Sequence, residues 1–312
     1  MYSYTLSQWL LFFLIYCFFG WCIESTFVSC RKHQLVNRGF LNGPVIPIYG
    51  SGAIAILFAT LPVRAHPVAV FFLGMLSATV LEYFTGAAME AIFKVRYWDY
   101  SDKRFNLNGH ICLNTSLAWG ALSVVLVEWL HRPIERLVLS LSESASQVLA
   151  FVLSGLFLID FAISLKTALD LRQLLEQLQA YSEKALEEAR VLQKRMEVYS
   201  AFNRERLEAY LSEKLPDGGE ALQKYVESME RAAARLEQSE AVQKLRTDLA
   251  MWRARRAQAR ENFRQRLTWD KRMMLLGNPT ARSGKYAEQL RLLRQRMAEE
   301  RQERQERRKR KE

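Results

Sequence analysis

Charged residues are scarce in the first half of this 312-residue chain, and this divides it into two parts of different composition. Residues 1–169 hold 11 of the 44 lysines and arginines and 9 of the 33 acidic residues, a net charge of +2. Cysteine and histidine are also scarce, with four of each, all in this first part. These compositions exclude a single mixed globule, a collagen-like fibre and a disulfide-stapled secreted domain.

Uncharged apolar runs fill the first part instead, and each is about long enough for a helix to cross the ~30 Å hydrocarbon core of a bilayer. Buried helices of a large soluble enzyme are the alternative, but five such runs within 169 residues disfavour it. A cleavable signal peptide fits poorly, because no lysine or arginine precedes the first run. We therefore expect an all-α, polytopic membrane protein with about five transmembrane helices. The expected spans lie near residues 8–28, 45–63, 68–92, 111–130 and 147–168.

The distribution of lysine and arginine predicts the orientation of these spans. The loops after spans 1 and 3 carry seven such residues, whereas the opposite side carries three. Because positive loops stay in the cytoplasm, we expect the N-terminus outside the plasma membrane and the charged half of the chain inside.

Acidic residues within the spans are the main functional candidates. An ionised acid near mid-bilayer costs ~3 kcal/mol on insertion scales, so such residues usually face the bundle interior. Glu24 and Glu82 are the stronger candidates. Asp160 needs a partner from another span, or a raised pKa that leaves it neutral. Glu90 shares a helical stripe with Glu82, but a solvated position near Lys94 explains it equally well.

Glycine and proline interrupt the start of span 2, with four Gly and two Pro within residues 39–52. This pattern indicates broken or re-entrant backbone, which is tolerated at membrane depth only inside protein or beside a wet cavity. Transporters use such breaks to aim helix ends at a substrate, and a tight turn without a ligand is the alternative. We predict that Glu24 and Glu82 face each other across a polar cavity closed on one side by residues 42–52. The two carboxylates would raise each other's pKa unless Arg38 or a bound cation keeps both ionised.

Five separated motifs follow one another in the first part of the chain: Gly20–Glu24, Asn37–Gly52, Leu81–Gly86 with Glu90, Trp98–Ser101, and Phe105–Gly109 followed by Ser116, Trp119 and Gly120. In this order they resemble the bacterial putative ABC-transporter type IV membrane proteins, also called CmpB-like putative ABC transporter permeases. The resemblance covers roughly residues 8–130 and leaves span 5 and the charged half unexplained. It implies a bacterial membrane permease but no mechanism.

The family motif and the polar positions together predict the residues of a polar cavity or substrate pathway. The resemblance marks Glu24, Arg38, Asn42, Glu82, Asp99 and Asn106 as shared positions without assigned roles. The full predicted set is Glu24, Arg38, Asn42, Tyr49, Glu82, Glu90, Asp99, Asn106 and Asp160.

The charged half has a helical pattern. A heptad seam runs from Leu171 to Tyr199, a turn follows at 216–219, and a second helical stretch continues to Phe263. Residues 170–276 are predicted to form a cytoplasmic helical hairpin, with a parallel dimeric coiled coil as the alternative. Residues 277–312 are predicted to be a charged helical or disordered tail. Its basic cluster could add ~1 kcal/mol per charge at an anionic lipid surface; the cluster is Arg307, Arg308, Lys309, Arg310 and Lys311.

The chain lacks the motifs of common catalytic and metal sites. No nucleotide-hydrolysis motif, catalytic triad order or Cys/His ligand spacing occurs, so we expect no cofactor and no metal, and the sequence does not decide whether the chain is an enzyme. Nucleic acid is not an expected partner, because the basic residues are interleaved with glutamate.

Three functions remain open for the chain. The first is a membrane permease component of unknown substrate, driven by a separate ATPase subunit or an ion gradient. The second is an intramembrane enzyme for a lipid or isoprenoid, with Arg38 holding a phosphate, and the third is a membrane-anchored coiled-coil scaffold. The expected partners are the bilayer, an ATPase subunit and a second copy of the chain.

Overall fold

A computed structural model describes residues 4–200 and 240–309, and this part of the chain is almost entirely helical. A single short hairpin accounts for the named strands of these residues. The elements are α1 (Leu6–Lys32), α2 (Pro47–Thr60) with a 3-10 turn (Leu61–Val63), α3 (Pro67–Phe93), β1 (Asn106–Leu107), β2 (Ile111–Cys112), α4 (Leu113–Val125), a π-helical segment (Leu126–Leu130), α5 (His131–Leu139), α6 (Glu143–Ser200), α7 (Glu240–Arg266), α8 (Trp269–Gly277) and α9 (Ala287–Lys309).

Within the described residues, four helical segments are long and apolar enough to cross a membrane. They are Leu6–Lys32, Pro67–Phe93, Leu113–Leu139 and Glu143–Arg195. The expected count was about five, and the difference lies in α2, which belongs to a shorter apolar helix, Pro47–Val63. At 1.5 Å per residue this helix is only about 25 Å long.

Local sequence explains where these helices begin and end. Thr5 and Gln8 form a capping box at the start of α1. Proline occupies the first position of α2 and of α3, where its missing N–H has no intrahelical partner. Helices α1 and α3 end in left-handed residues, His33 with φ 51° and Lys94 with φ 57°.

The first helices pack as antiparallel neighbours, with small residues at the closest approaches. A Cβ on Gly50 of α2 would lie 2.5 Å from the Phe13 carbonyl oxygen of α1 and against the Cys17 thiol. Gly74 of α3 lies against Ser123 of α4 in the same way. Without these glycines the helix backbones could not approach so closely.

Helix α2 is short because its N-terminus begins beside the middle of α1. The Ile46 N–H donates a 3.0 Å hydrogen bond to the Cys17 carbonyl, which lies 11 residues into α1. The connecting segment, residues 33–46, therefore returns along α1 before α2 begins. This is the kind of broken backbone that the Gly/Pro pattern predicts for span 2.

The outer face of α6 is strongly apolar. Phe151, Leu156, Leu158 and Ile159 are all more than half exposed. Contiguous exposed apolar side chains on a 58-residue helix are the expected surface of a membrane span.

The chain forms two compact units, and their bounds differ from the three predicted segments. Unit 1 contains Met1–Arg172, Trp269–Ala287 and Met297–Glu312, and unit 2 contains Gln173–Thr268 and Glu288–Arg296. Residues 269–287 therefore belong to the same unit as the apolar helices.

Unit 2 contains part of α6 and all of α7, and their contacts run antiparallel. Arg266 bonds Gln177, the Tyr181 and Phe263 rings are 5.8 Å apart, and Arg195 bonds Asp248 at 3.3 Å. The predicted turn at 216–219 lies outside the described residues, as do all the side chains of the basic cluster at 307–311.

Candidate functional site

Glu82 of α3 is the most enclosed of the predicted acids, with 5% of the residue exposed. The Tyr100 hydroxyl donates to its Oε1 at 3.2 Å, and the Trp119 indole N–H donates to its Oε2 at 2.9 Å. Both donors are neutral, and no lysine, arginine or histidine in the described ranges forms an ion pair with Glu82. The carboxyl group is thus hydrogen-bonded but not matched by a positive charge.

Glu24 of α1 lies in a polar group of three predicted residues. The Tyr49 hydroxyl donates to its Oε1 at 2.8 Å, and the Arg38 Nε lies 3.5 Å from its Oε2. Gly20 makes this arrangement possible, because a Cβ there would collide with the Tyr49 ring. The structure therefore brings Glu24, Arg38 and Tyr49 together.

Aromatic side chains link the two acids. The Tyr49 ring lies 6.1 Å from the Trp119 ring, so one aromatic pair joins the hydrogen-bond partner of Glu24 to that of Glu82. Burial raises the pKa of Tyr100 well above its usual value, and the nearby Glu82 and Glu24 raise it further. Tyr100 therefore stays protonated and donates. An open polar cavity between the acids stays a prediction.

The loop between α3 and α4 holds a second charged cluster around Glu90. Arg96 Nε lies 2.8 Å from one oxygen of Glu90, and His110 Nε2 lies 3.3 Å from the other. The hydrogen bond to Glu90 raises the pKa of Arg96. Burial raises the pKa of Asp99, but hydrogen bonds from Ser101 and the neighbouring Arg96 and Arg282 outweigh it, so this pKa lies below its usual value.

Asn106 is placed in the hairpin of this loop and contacts neither Glu24 nor Glu82. Its side-chain amide donates to the carbonyls of Ser101 and Lys103, and its oxygen accepts the Gly109 N–H at 3.1 Å. Gly109 has a φ of 74°, a conformation that glycine adopts without strain. Asn106 thus shapes the loop that presents Tyr100.

Asp160 of α6 binds the segment that connects α1 to α2, residues 33–46. Its carboxylate accepts the Asn42 N–H at 3.2 Å and the Gly43 N–H at 2.8 Å, and the Asn42 amide donates to Ser164. The partner that Asp160 needs thus comes from the loop before α2. Asp160 and Asn42 form a group of their own and have no hydrogen bond to Glu24 or Glu82.

Asp160→Leu is expected to destabilise the protein by about 2–3 kcal/mol, because two backbone N–H groups lose a charged acceptor. Thermal unfolding followed by size-exclusion chromatography in detergent measures this loss. Asp160→Asn keeps one acceptor oxygen and should lose clearly less stability. Equal stability of Asp160→Leu and wild type would show that these N–H groups find other acceptors.

Sequence reasoning left several residues of the site out of its predicted set. Tyr100 and Trp119 stand in the motifs that carried the family resemblance, but neither is an acidic residue within an apolar run, the feature that marked the main candidates. Asn278, which contacts Arg38, lies more than 200 residues away in the chain. No local pattern marks it.

Another polar cluster lies nearer the N-terminal end of α1. Both ring nitrogens of the buried His131 face tyrosine hydroxyls, with Tyr16 at 2.8 Å and Tyr4 at 3.2 Å. Tyr4 donates to Glu135, so it accepts from His131. These bonds satisfy the buried polar groups where α5 meets α1.

The comparison with protein families agrees with this architecture. Residues 11–165 match the family described as putative ABC-transporter type IV. The membrane-spanning part of the chain belongs to this family. The resemblance was expected to end near residue 130, but the family match continues into α6 and includes Asp160. No curated protein and no solved structure matches the chain.

The family and the apolar helices place the chain in a membrane. Glu24, Glu82, Tyr100 and Trp119 all lie within the residues that match the family. Residues 277–286, which contact Arg38, lie outside them.

Proposed function

We propose that the membrane part of the chain is a permease-like component of a transporter, in which Glu82 binds a cation during the transport cycle. The observation that carries this proposal is the enclosed Glu82 carboxyl group with two neutral donors. An ionised acid at this depth is costly unless positive charge neutralises it. A proton or a cationic substrate supplies that charge.

The second acid supports the same function. Glu24 is linked to Glu82 through the contact of Tyr49 with Trp119. Unlike Glu82, Glu24 already forms an ion pair with Arg38. One acid is therefore neutralised within the protein and the other is not. Such an asymmetric pair binds a single positive charge.

The intramembrane enzyme receives less support from the geometry. A phosphate-binding role requires Arg38 to offer free N–H groups. Its guanidinium instead contacts Glu24, the Gly277 carbonyl, Asn278 and Thr280. The scaffold alternative depends on unit 2 and is separated by experiment, since a scaffold would move no ion.

Flux measurements test the proposed function. The full chain is purified from native membranes, so that any ATPase subunit stays attached, and is reconstituted in liposomes. A pH-sensitive dye inside the liposomes reports protons, and uptake of radiolabel reports each probe cation. The probes are a proton gradient, Na⁺, methylammonium and tetraethylammonium, each with and without ATP. We expect flux of protons or of a probe cation above protein-free liposomes. Flux of none of them would contradict the proposal.

The arms of this experiment distinguish the cation and the energy source. Dye response without an added probe identifies the proton as the cation. A response that requires one probe identifies a cationic substrate. Dependence on ATP indicates a separate ATPase, whereas flux driven by the gradient alone indicates ion coupling.

We further propose that the N-terminus lies outside the bacterial plasma membrane and the charged half lies in the cytoplasm. The support is the excess of lysine and arginine in the loops after α1 and α3. Protease should digest residues 170–312 in inside-out vesicles and leave them intact in whole cells. The reverse pattern would show that the opposite orientation is correct.

A further inference from the structure

Residues 277–286, here called the strap, run across two loops of the membrane unit. The strap follows α8, precedes α9, and belongs with the apolar helices in unit 1. Tyr286 at its end is fully buried, and Asn278 is 3% exposed. The strap is therefore a packed part of this unit and lies outside the family match.

The N-terminal end of the strap forms hydrogen bonds with Arg38. The Arg38 Nη1 donates to the Gly277 carbonyl at 3.1 Å and to Asn278 Oδ1 at 3.0 Å. The Asn278 amide donates to the Gly39 carbonyl at 2.8 Å. Gly277 lies so close that a Cβ there would be 2.5 Å from the Asn37 carbonyl oxygen. The strap thus orients the guanidinium that pairs with Glu24.

The C-terminal part of the strap forms hydrogen bonds with residues 94–97, shortly before Tyr100. Arg282 and Arg96 form an antiparallel backbone bridge, with N–O distances of 2.8 and 2.7 Å. Ser283 donates to the Lys94 carbonyl at 2.6 Å, and Thr280 donates to the Tyr97 carbonyl at 3.3 Å. The strap thus bonds three of the six residues that precede the donor to Glu82.

We propose that the strap is a latch that positions both partners of the acidic site, Arg38 on Glu24 and Tyr100 on Glu82. While it is bound, the loops at this end of the site stay closed, and its release opens the site. This proposal rests on the proposed function for its transport readout. The strap can be released without breaking a covalent bond, because it is held by hydrogen bonds and by the ion pairs of the exposed Arg282 with Asp99 and Asp102.

A disulfide across the bridge tests the latch. A backbone-bonded antiparallel pair has Cα atoms about 5.5 Å apart, within the range of disulfides. The R96C/R282C variant is made in a C22S/C30S background, which removes the two accessible native cysteines. We expect oxidation to stop flux and reductant to restore it. Full flux in the oxidised protein would overturn the latch, and the single variants R96C and R282C control for the oxidant.

A labelling experiment tests the same latch without any transport. Native Cys112 is 2% exposed and lies close to Tyr100, so its reaction with a positively charged methanethiosulfonate reagent reports opening of the loop. Asn278→Ala removes the bonds to Arg38 and Gly39 and should speed labelling about tenfold. The oxidised disulfide should slow it. Unchanged labelling in both proteins would overturn the proposal.

Two further variants separate positioning from general loss of structure. Asn278→Asp keeps the acceptor for Arg38 but loses the donor to Gly39, so its labelling should be slower than that of Asn278→Ala. Asn108→Gly removes an exposed side-chain bond to Tyr83 in the same loop region, and glycine adopts the left-handed backbone of this position (φ 53°) without strain, so this variant should leave labelling unchanged. If labelling follows these expectations while wild-type liposomes show no flux, the latch stands and the proposed function fails.

Discussion

Glu82→Gln is expected to reduce cation flux at least about hundredfold while leaving the folded protein intact. Removing the negative charge weakens the binding of the cation by ~3 kcal/mol, which corresponds to a factor of about a hundred. The amide keeps the shape of the carboxyl group. Its oxygen can accept from Trp119 and its NH₂ can donate to Tyr100, so the hydrogen-bond network survives without the charge. Flux in liposomes and elution volume in size-exclusion chromatography measure the two properties separately.

Glu128→Gln is the matched control for this substitution. Glu128 also lies in a membrane-length helix, but it pairs with Arg132 one turn along the same helix. It should keep wild-type flux. Infrared spectroscopy adds a readout of protonation, because a carboxyl band that titrates in wild type and is missing in Glu82→Gln identifies Glu82 as the proton site. Wild-type flux in Glu82→Gln would contradict the assigned role of Glu82.

Gly50→Val is expected to destabilise the folded protein by more than about 3 kcal/mol, because overpacking a close helix contact forces the backbones apart. The added Cβ would meet the Phe13 carbonyl oxygen at 2.5 Å and the Cys17 thiol. The Phe13 oxygen belongs to the helix backbone and cannot rotate away as a side-chain end can. The expected result is loss of the monodisperse peak in size-exclusion chromatography at temperatures where wild type is stable.

Gly155→Val supplies the same substitution at an open position. A Cβ on Gly155 of α6 meets nothing within 4 Å. This variant should match or exceed the stability of wild type, since valine replaces a flexible residue within a helix. Similar destabilisation of both variants would show that the close contact between α1 and α2 is not the cause.

The apolar helices could be predicted from composition, because about 20 uncharged residues have few alternatives to crossing a bilayer. Span 2 could be predicted only in part. The Gly/Pro pattern indicated broken backbone, but the short length of α2 follows from Ile46 bonding to Cys17, a contact between distant residues. The heptad pattern from Leu171 predicted a helix. The antiparallel contacts of α6 with α7 could not be predicted with it, because they join residues that are far apart in the chain.

The candidate site, like the fold, could be predicted only in part. The rarity of acids within apolar runs marks Glu24, Glu82 and Asp160, because a buried charge is costly wherever the chain folds. The hydrogen-bond partners of these acids have no comparable signal in the sequence. Asn42 and Gly43 reach Asp160 across more than 100 residues, and Trp119 reaches Glu82 from another helix.

By itself, the sequence determined that the first half of the chain contains apolar helices of membrane length, which acids lie among them, and that the described part of the second half is mainly helical. These properties depend on hydrophobicity and local periodicity, which each segment carries alone. Only the tertiary structure decided that Glu24 pairs with Arg38, that Glu82 has neutral donors, and that the strap holds the site. Hydrogen bonds and ion pairs act over about 3 Å, so they depend on which distant segments the packing of helices brings together.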